Sequence, residues 1–205
     1  MANAENAFGL RPVRHFNGAP WNGQTIRCYL AAGDSTAMFI GDPVALTTEA
    51  DDIPTDGKSI GVMAATITDA GLILGVITSF EPSEDYNTVY RAADTERYCQ
   101  VCLANDIVFR IRGCGEGTPV NTWQGMNARM TAGSGGSTVT GLSSVMLDEG
   151  TGTAPTNDQS TPLVILHVSD VEDNELGDHA LWDVIINTPQ LLTTTTGRFI
   201  GTVAT

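Results

Sequence analysis

The sequence predicts an all-β fold, of jelly-roll, β-sandwich or β-tulip-like barrel type, and three observations carry that prediction. Short runs rich in Val, Ile and Thr recur along the chain, bounded by Gly, Pro, Asn and Asp. No 3.6-residue periodicity lasts beyond about two turns, where roughly ten residues would argue a helix. Charged residues make up only 17% while glycine is abundant, a profile of many turns and β-branched positions. At 205 residues and 41% hydrophobic content, the chain can bury one substantial core, or two small ones.

The elements follow in order. Residues 8–27 are punctuated by Pro12, Pro20 and several glycines, so they read as an irregular N-terminal arm (residues 1–25) ahead of a single all-β domain (26–205). Residues 25–30 read as a first strand, closed by turn residues 32–35. Residues 38–40 lead through Gly41-Asp42-Pro43 into an alternating strand at 44–48. Pro54 and Asp56-Gly57 mark a turn within 51–58. An apolar run at 59–67 precedes the clearest buried strand, 71–80. A polar loop at 81–87 leads to a short strand at 88–91, then to strands at 97–103 and 107–112. In the last of these, Ile107, Phe109 and Ile111 should share one face, and Val108, Arg110 and Arg112 the other.

Residues 113–160 change character. Gly/Ser/Thr stretches flank short apolar segments at 126–130 and 142–147, the pattern of hairpins with long tips. Strands are expected again at 162–168 and 180–187, separated by an acidic loop. The Thr-rich residues 191–205 read as a final edge strand or a second arm.

Charge excludes some classes of partner. The net charge is −14, and Lys58 is the sole lysine, so direct nucleic-acid binding through phosphate contacts is not expected. The N-terminus lacks the pattern of a signal peptide, and no apolar run is long enough for a membrane span. The four cysteines are then expected as free thiols of a protein made in a reducing cytoplasm.

No pattern in the sequence demands catalysis. Cys99-x-x-Cys102 lacks a second pair at metal-binding spacing, and residues three apart on a strand face opposite ways. His15, His167 and His179 are scattered, with no nucleophile elbow nearby. The acidic residues 170–178 lack the spacing and glycine of a calcium loop and read as a solvated surface. No phosphate-cradling glycine loop occurs. The expectation is a protein that is not an enzyme and has no metal and no cofactor.

The arm is the anomaly. Residues 6–33 hold Arg11, Arg14 and Arg27 and no acid, whereas residues 34–205 hold seven basic and 23 acidic residues. Arginine forks beside apolar anchors suit a docking surface, so Phe8, Leu10, Arg11, Arg14, His15, Phe16 and Trp21 are the candidate interface residues. The alternative is that the aromatic residues strap onto the protein's own sheet. The opening NAFGLRPVRHFNGAPWNG, the internal FIGDPV and the closing DNELGDHALWDVIIN together resemble the head decoration (cement) proteins of tailed bacteriophages. That resemblance implies a small β-rich virion protein on the outer surface of an icosahedral capsid. Its partners would be the major capsid protein and its own copies, as a homotrimer or else a dimer. A second class is a carbohydrate-binding or host-attachment module of a virion. Such a module would need exposed aromatics, with Tyr86, Tyr90, Tyr98 and Trp123 as candidates.

Overall fold

Strand β7 (Ile107–Arg112) separates two environments. Ile107, Phe109 and Ile111 enter the largest hydrophobic cluster, and Val108 joins a smaller one on the opposite face. The computed structural model describes residues 3–47, 54, 57–69, 71–82 and 88–191. Among them the protein is all-β, with one short 3-10 turn at Asn121–Trp123 and no helix long and apolar enough to cross a membrane.

Five strands close a barrel: β2 (Ile26–Leu30), β4 (Ile60–Ala64), β3 (Pro43–Leu46), β5 (Gly75–Phe80) and β6 (Arg97–Leu103), in that spatial order. β2 and β4 run parallel, and every other neighbouring pair is antiparallel. Cys28, Leu30, Val44, Val62, Ile77, Cys99 and Val101 fill its interior. A second, open antiparallel sheet has the order β1 (Arg11–His15), β7, β12 (Leu181–Ile186), β11 (Leu163–Val168) and β8 (Asn127–Ala128). β9 (Met130–Gly136) and β10 (Ser143–Leu147) form a separate hairpin.

One core joins these parts. It unites Phe109, Ile111, Trp182 and Val184 of the sheet with Met130 and Leu147 of the hairpin and with Val76 and Cys102 of the barrel wall. Strand alternation thus sends Cys99 into the barrel and Cys102 into the shared core. Main-chain hydrogen bonds tie the same junction together. Leu10 N–H donates to Gly41 O, Gly41 N–H to Ile77 O, and Ser143 N–H to Ile40 O.

The expected strands at 97–103 and 107–112 form as read, those at 25–30, 44–48, 71–80, 162–168 and 180–187 form over shorter spans, and the apolar run at 59–67 contains β4. Two expectations are corrected. Residues 88–91 make no strand; Arg91 forms a single bridge to Met38. Its buried guanidinium instead donates to the carbonyls of Ala31, Thr36 and Thr95, which turns the local chain inward. The N-terminal stretch is not irregular throughout, because Arg11–His15 is a strand paired with β7. Pro12 is tolerated there because β1 is an edge strand with a register shift between Pro12 and Arg14. Residue 48, most of the expected turn at 51–58, residues 83–87 and residues 192–205 lie outside the described residues.

Candidate interaction surface

The residues expected to form an interface are spread across both faces of the open sheet. Gly9 makes this possible. Its φ of +72° lets the chain turn where a Cβ would collide with the Gly41 carbonyl and Ser143. Leu10 then drops into the main core at 2% exposure, and Phe8 is buried under the guanidinium groups of Arg11 and Arg112. Trp21 is half-buried against the same core. Phe8, Leu10 and Trp21 are therefore anchors within the protein's own fold.

Arg11 and Arg14 stay on the outer side of the sheet. The Arg11 guanidinium lies over the Phe8 ring at 4.6 Å, and it forms no ion pair among the described residues. Arg14 donates to His167 Nε2 at 3.2 Å, while His167 Nδ1 sits 2.9 Å from the Val168 carbonyl. Those partners assign the Nδ1–H tautomer, leaving Nε2 to accept from arginine. His15 Nδ1 lies 3.3 Å from Asp106 Oδ2. Phe16 stands half-exposed (50%) at the tip of a tight turn, closed by His15 N–H donating to Ala19 O.

Pairing adds two arginines that the linear reading did not place at this surface. Arg11 lies opposite Arg110, and Arg112 follows on the same face of β7. Arg110 is held by Asp183, at 2.9 Å through Nε. Arg112 donates to the carbonyls of Asn6 and His179, and burial lowers its pKa. Beneath these charges lies a small apolar cluster in which Val108, Val164 and Ile185 are buried and Val13 and Leu166 half-buried. Four of the ten basic residues thus share one sheet face with a small apolar cluster. The signal was present in the alternation of β7, but the long separation between β1 and β7, residues 16–106, hid the partnership.

Of the other chemically suggestive groups, Cys28, Cys99, Cys102 and Glu149 are buried. Cys28 lies opposite Cys99 across β2 and β6, and burial pushes the Cys28 and Cys102 thiols up to about 12. Such thiols are poor nucleophiles and poor metal ligands. Glu149, 1% exposed, accepts from Trp182 Nε1–H at 2.9 Å and from Gly115 N–H at 3.0 Å. Burial still raises its pKa, and Gly113 and Gly117 leave room for it where a Cβ would not fit. His179 Nδ1 faces the Gly113 carbonyl at 3.3 Å. Glu149 is thus buried at this node, while His179 and Gly115 are half-buried. Among the described residues, no group of three or more His, Cys, Asp or Glu could hold a metal ion. In the acidic loop, Asn174 donates to the carbonyls of Ser169 and Leu181, and Asn3 clasps Glu175 and Asp178 through their backbone.

The aromatic candidates for glycan binding fare unevenly. Trp123 is a core residue at 7% exposure, tilted on Trp182 at 5.8 Å. Tyr90 stacks on Phe39, and Tyr98 is covered by Arg27 at 3.5 Å. Tyr86 lies outside the described residues. Comparison with family models, curated proteins and solved structures finds no match to this chain.

Proposed function

We propose that the chain is a structural virion protein that binds the outer surface of an icosahedral phage capsid and cements neighbouring capsid subunits. It would act as a homo-oligomer, a trimer in preference to a dimer, without catalysing a reaction. One observation carries this reading: Arg11, Arg14, Arg110 and Arg112 share a face of the open sheet on a protein whose remainder is strongly acidic. Arginines beside an apolar cluster suit a carboxylate-bearing protein surface. The acidic remainder would face solvent and oppose particle aggregation. We read the barrel backed by a sheet as nearer a β-tulip than a jelly roll, whose eight strands divide into two sheets.

The test is association with expanded empty capsids of the encoding phage. Deleting the first 21 residues would remove β1 and Leu10, so point substitutions are the usable probes. Arg11→Glu combined with Phe16→Ser should weaken capsid association at least ~10-fold while the fold survives. Unchanged capsid affinity would sink the assignment of this surface.

The attachment-module reading rests on Tyr29 and Tyr98, 5.2 Å apart on the barrel's outer wall. Glycan binding abolished by Tyr98→Ala, in a protein without capsid affinity, would replace the first reading.

A further inference from the structure

We propose that Asn22 is a site of spontaneous deamidation, and that the neighbouring Asn17 is held inert by its turn. The sequence contains two Asn-Gly pairs, Asn17-Gly18 and Asn22-Gly23, only five residues apart. Glycine lacks the Cβ that would hinder attack by its own backbone nitrogen on the preceding side chain. On sequence grounds the two sites are equivalent.

The fold separates them. Gly18 N–H donates to His15 O at 3.0 Å, inside a turn fixed by His15 N–H to Ala19 O at 2.8 Å. Ala19 N–H also holds Asn17 Oδ1 at 3.0 Å. The Gly18 nitrogen is therefore committed as a donor, and the Asn17 side chain is pinned. Attack would require both contacts to break. At the second pair, Asn22 and Gly23 are exposed, and nothing lies within 4 Å of the position a Gly23 Cβ would take. Asn22 N–H is held by Gln24 Oε1 at 3.0 Å, but neither the Asn22 side-chain amide nor the Gly23 N–H has a hydrogen-bond partner among the described residues.

The chemistry needs only water. The deprotonated Gly23 nitrogen attacks Asn22 Cγ, forming a new C–N bond and closing a succinimide ring. The bond from Cγ to the side-chain nitrogen breaks, and that nitrogen leaves as ammonia after taking up a proton. Water then opens the ring at either carbonyl, giving aspartate or isoaspartate. Either product places a negative charge within residues 6–33, which otherwise contain no acid, directly beside Trp21. The inference does not depend on the capsid reading.

The experiment is timed incubation of the full-length folded chain at mildly alkaline pH, followed by peptide mapping by mass spectrometry. The peptide carrying Asn22 should gain about 1 Da. Protection by one ordinary hydrogen bond corresponds to about fivefold, so Asn22 should outpace Asn17 by at least that factor. In denaturant the two rates should converge, and Asn22→Gln should remove the modification at residue 22. Equal rates in the folded protein, a faster Asn17, or an Asn22 that reacts only when the chain is unfolded would each overturn the proposal.

Discussion

The barrel and the open sheet treat their outer surfaces differently. On the barrel wall, charges are answered at close range. Arg27 grips both oxygens of Glu81 at 3.0 and 3.1 Å and covers Tyr98, Tyr29 donates to Glu96, and Gln100 donates to Glu81. On the sheet, one of the four arginines, Arg110, pairs with an acid, Asp183. Arg14 donates to His167, Arg112 donates to main-chain carbonyls, and Arg11 lies over the Phe8 ring with no ion pair among the described residues. The barrel also has no edge, whereas β1 ends its sheet. Among the described residues, the barrel's outer charges named above are paired, and the open sheet retains an unpaired arginine and an edge strand. Interaction is thus expected at the sheet and not at the barrel.

Inner-face substitutions on the sheet should give the largest effects. Leu10→Ala removes a core side chain at 2% exposure immediately before the strand carrying the proposed interface, and should cost about 2–5 kcal/mol in denaturant unfolding. A loss below 1 kcal/mol would mean that the N-terminal strand is dispensable to the fold. Next comes the junction between the two units, where Asp42 accepts from the Phe39 N–H at 2.7 Å. Burial raises its pKa from 3.8 to about 6. The folded state therefore holds the Asp42 proton more tightly than the unfolded chain does. Its contribution falls as pH rises from about 4 to 6 and stays low above that, by up to about 3 kcal/mol. Asp42→Asn should flatten this part of the stability–pH curve and stabilise the protein at neutral pH. A variant with the parent's pH dependence would show that Asp42 is ionised at no cost.

Much of this contrast could be read from the sequence, and the unread part has a common cause. β6 and β7 were legible because their apolar alternation is local. β1 was not, since Pro12 and the glycines at 9, 18 and 23 look like a broken segment, and the strand exists only through pairing with β7. For the same reason Arg11 and Arg14 stood out as an isolated basic arm, while Arg110 and Arg112 looked like ordinary outward residues. Phe8, Leu10 and Trp21 carry the same apolar signal whether they anchor a partner or the protein's own core. Glycines at 113, 115 and 117 gave no hint of the carboxylate and imidazole they accommodate.

A smaller effect probes the sheet's inner face through hydrogen bonding. Trp182→Phe preserves most of the packing but removes the donor to Glu149 Oε1, leaving a 1%-exposed carboxylate short of one partner. The expected cost is about 1–3 kcal/mol. Adding Glu149→Gln should recover part of it, because the burial that raises the Glu149 pKa penalises its charge. Absence of any recovery would place the loss in packing alone.

The smallest effect on stability should occur on the sheet's outer face. Arg11 is exposed and has no acidic partner among the described residues, and Phe16 projects from a turn, so Arg11→Glu and Phe16→Ser should each stay within about 0.5 kcal/mol of the parent. Arg27→Ala on the barrel is the matched control. It breaks a surface pair of the kind worth less than about 1 kcal/mol and should leave capsid association unchanged. If the interface is where charge and edge remain open, only the sheet variants lose association, and they lose it without unfolding. Loss of association in Arg27→Ala as well would make the whole surface, rather than the open sheet, the determinant of binding.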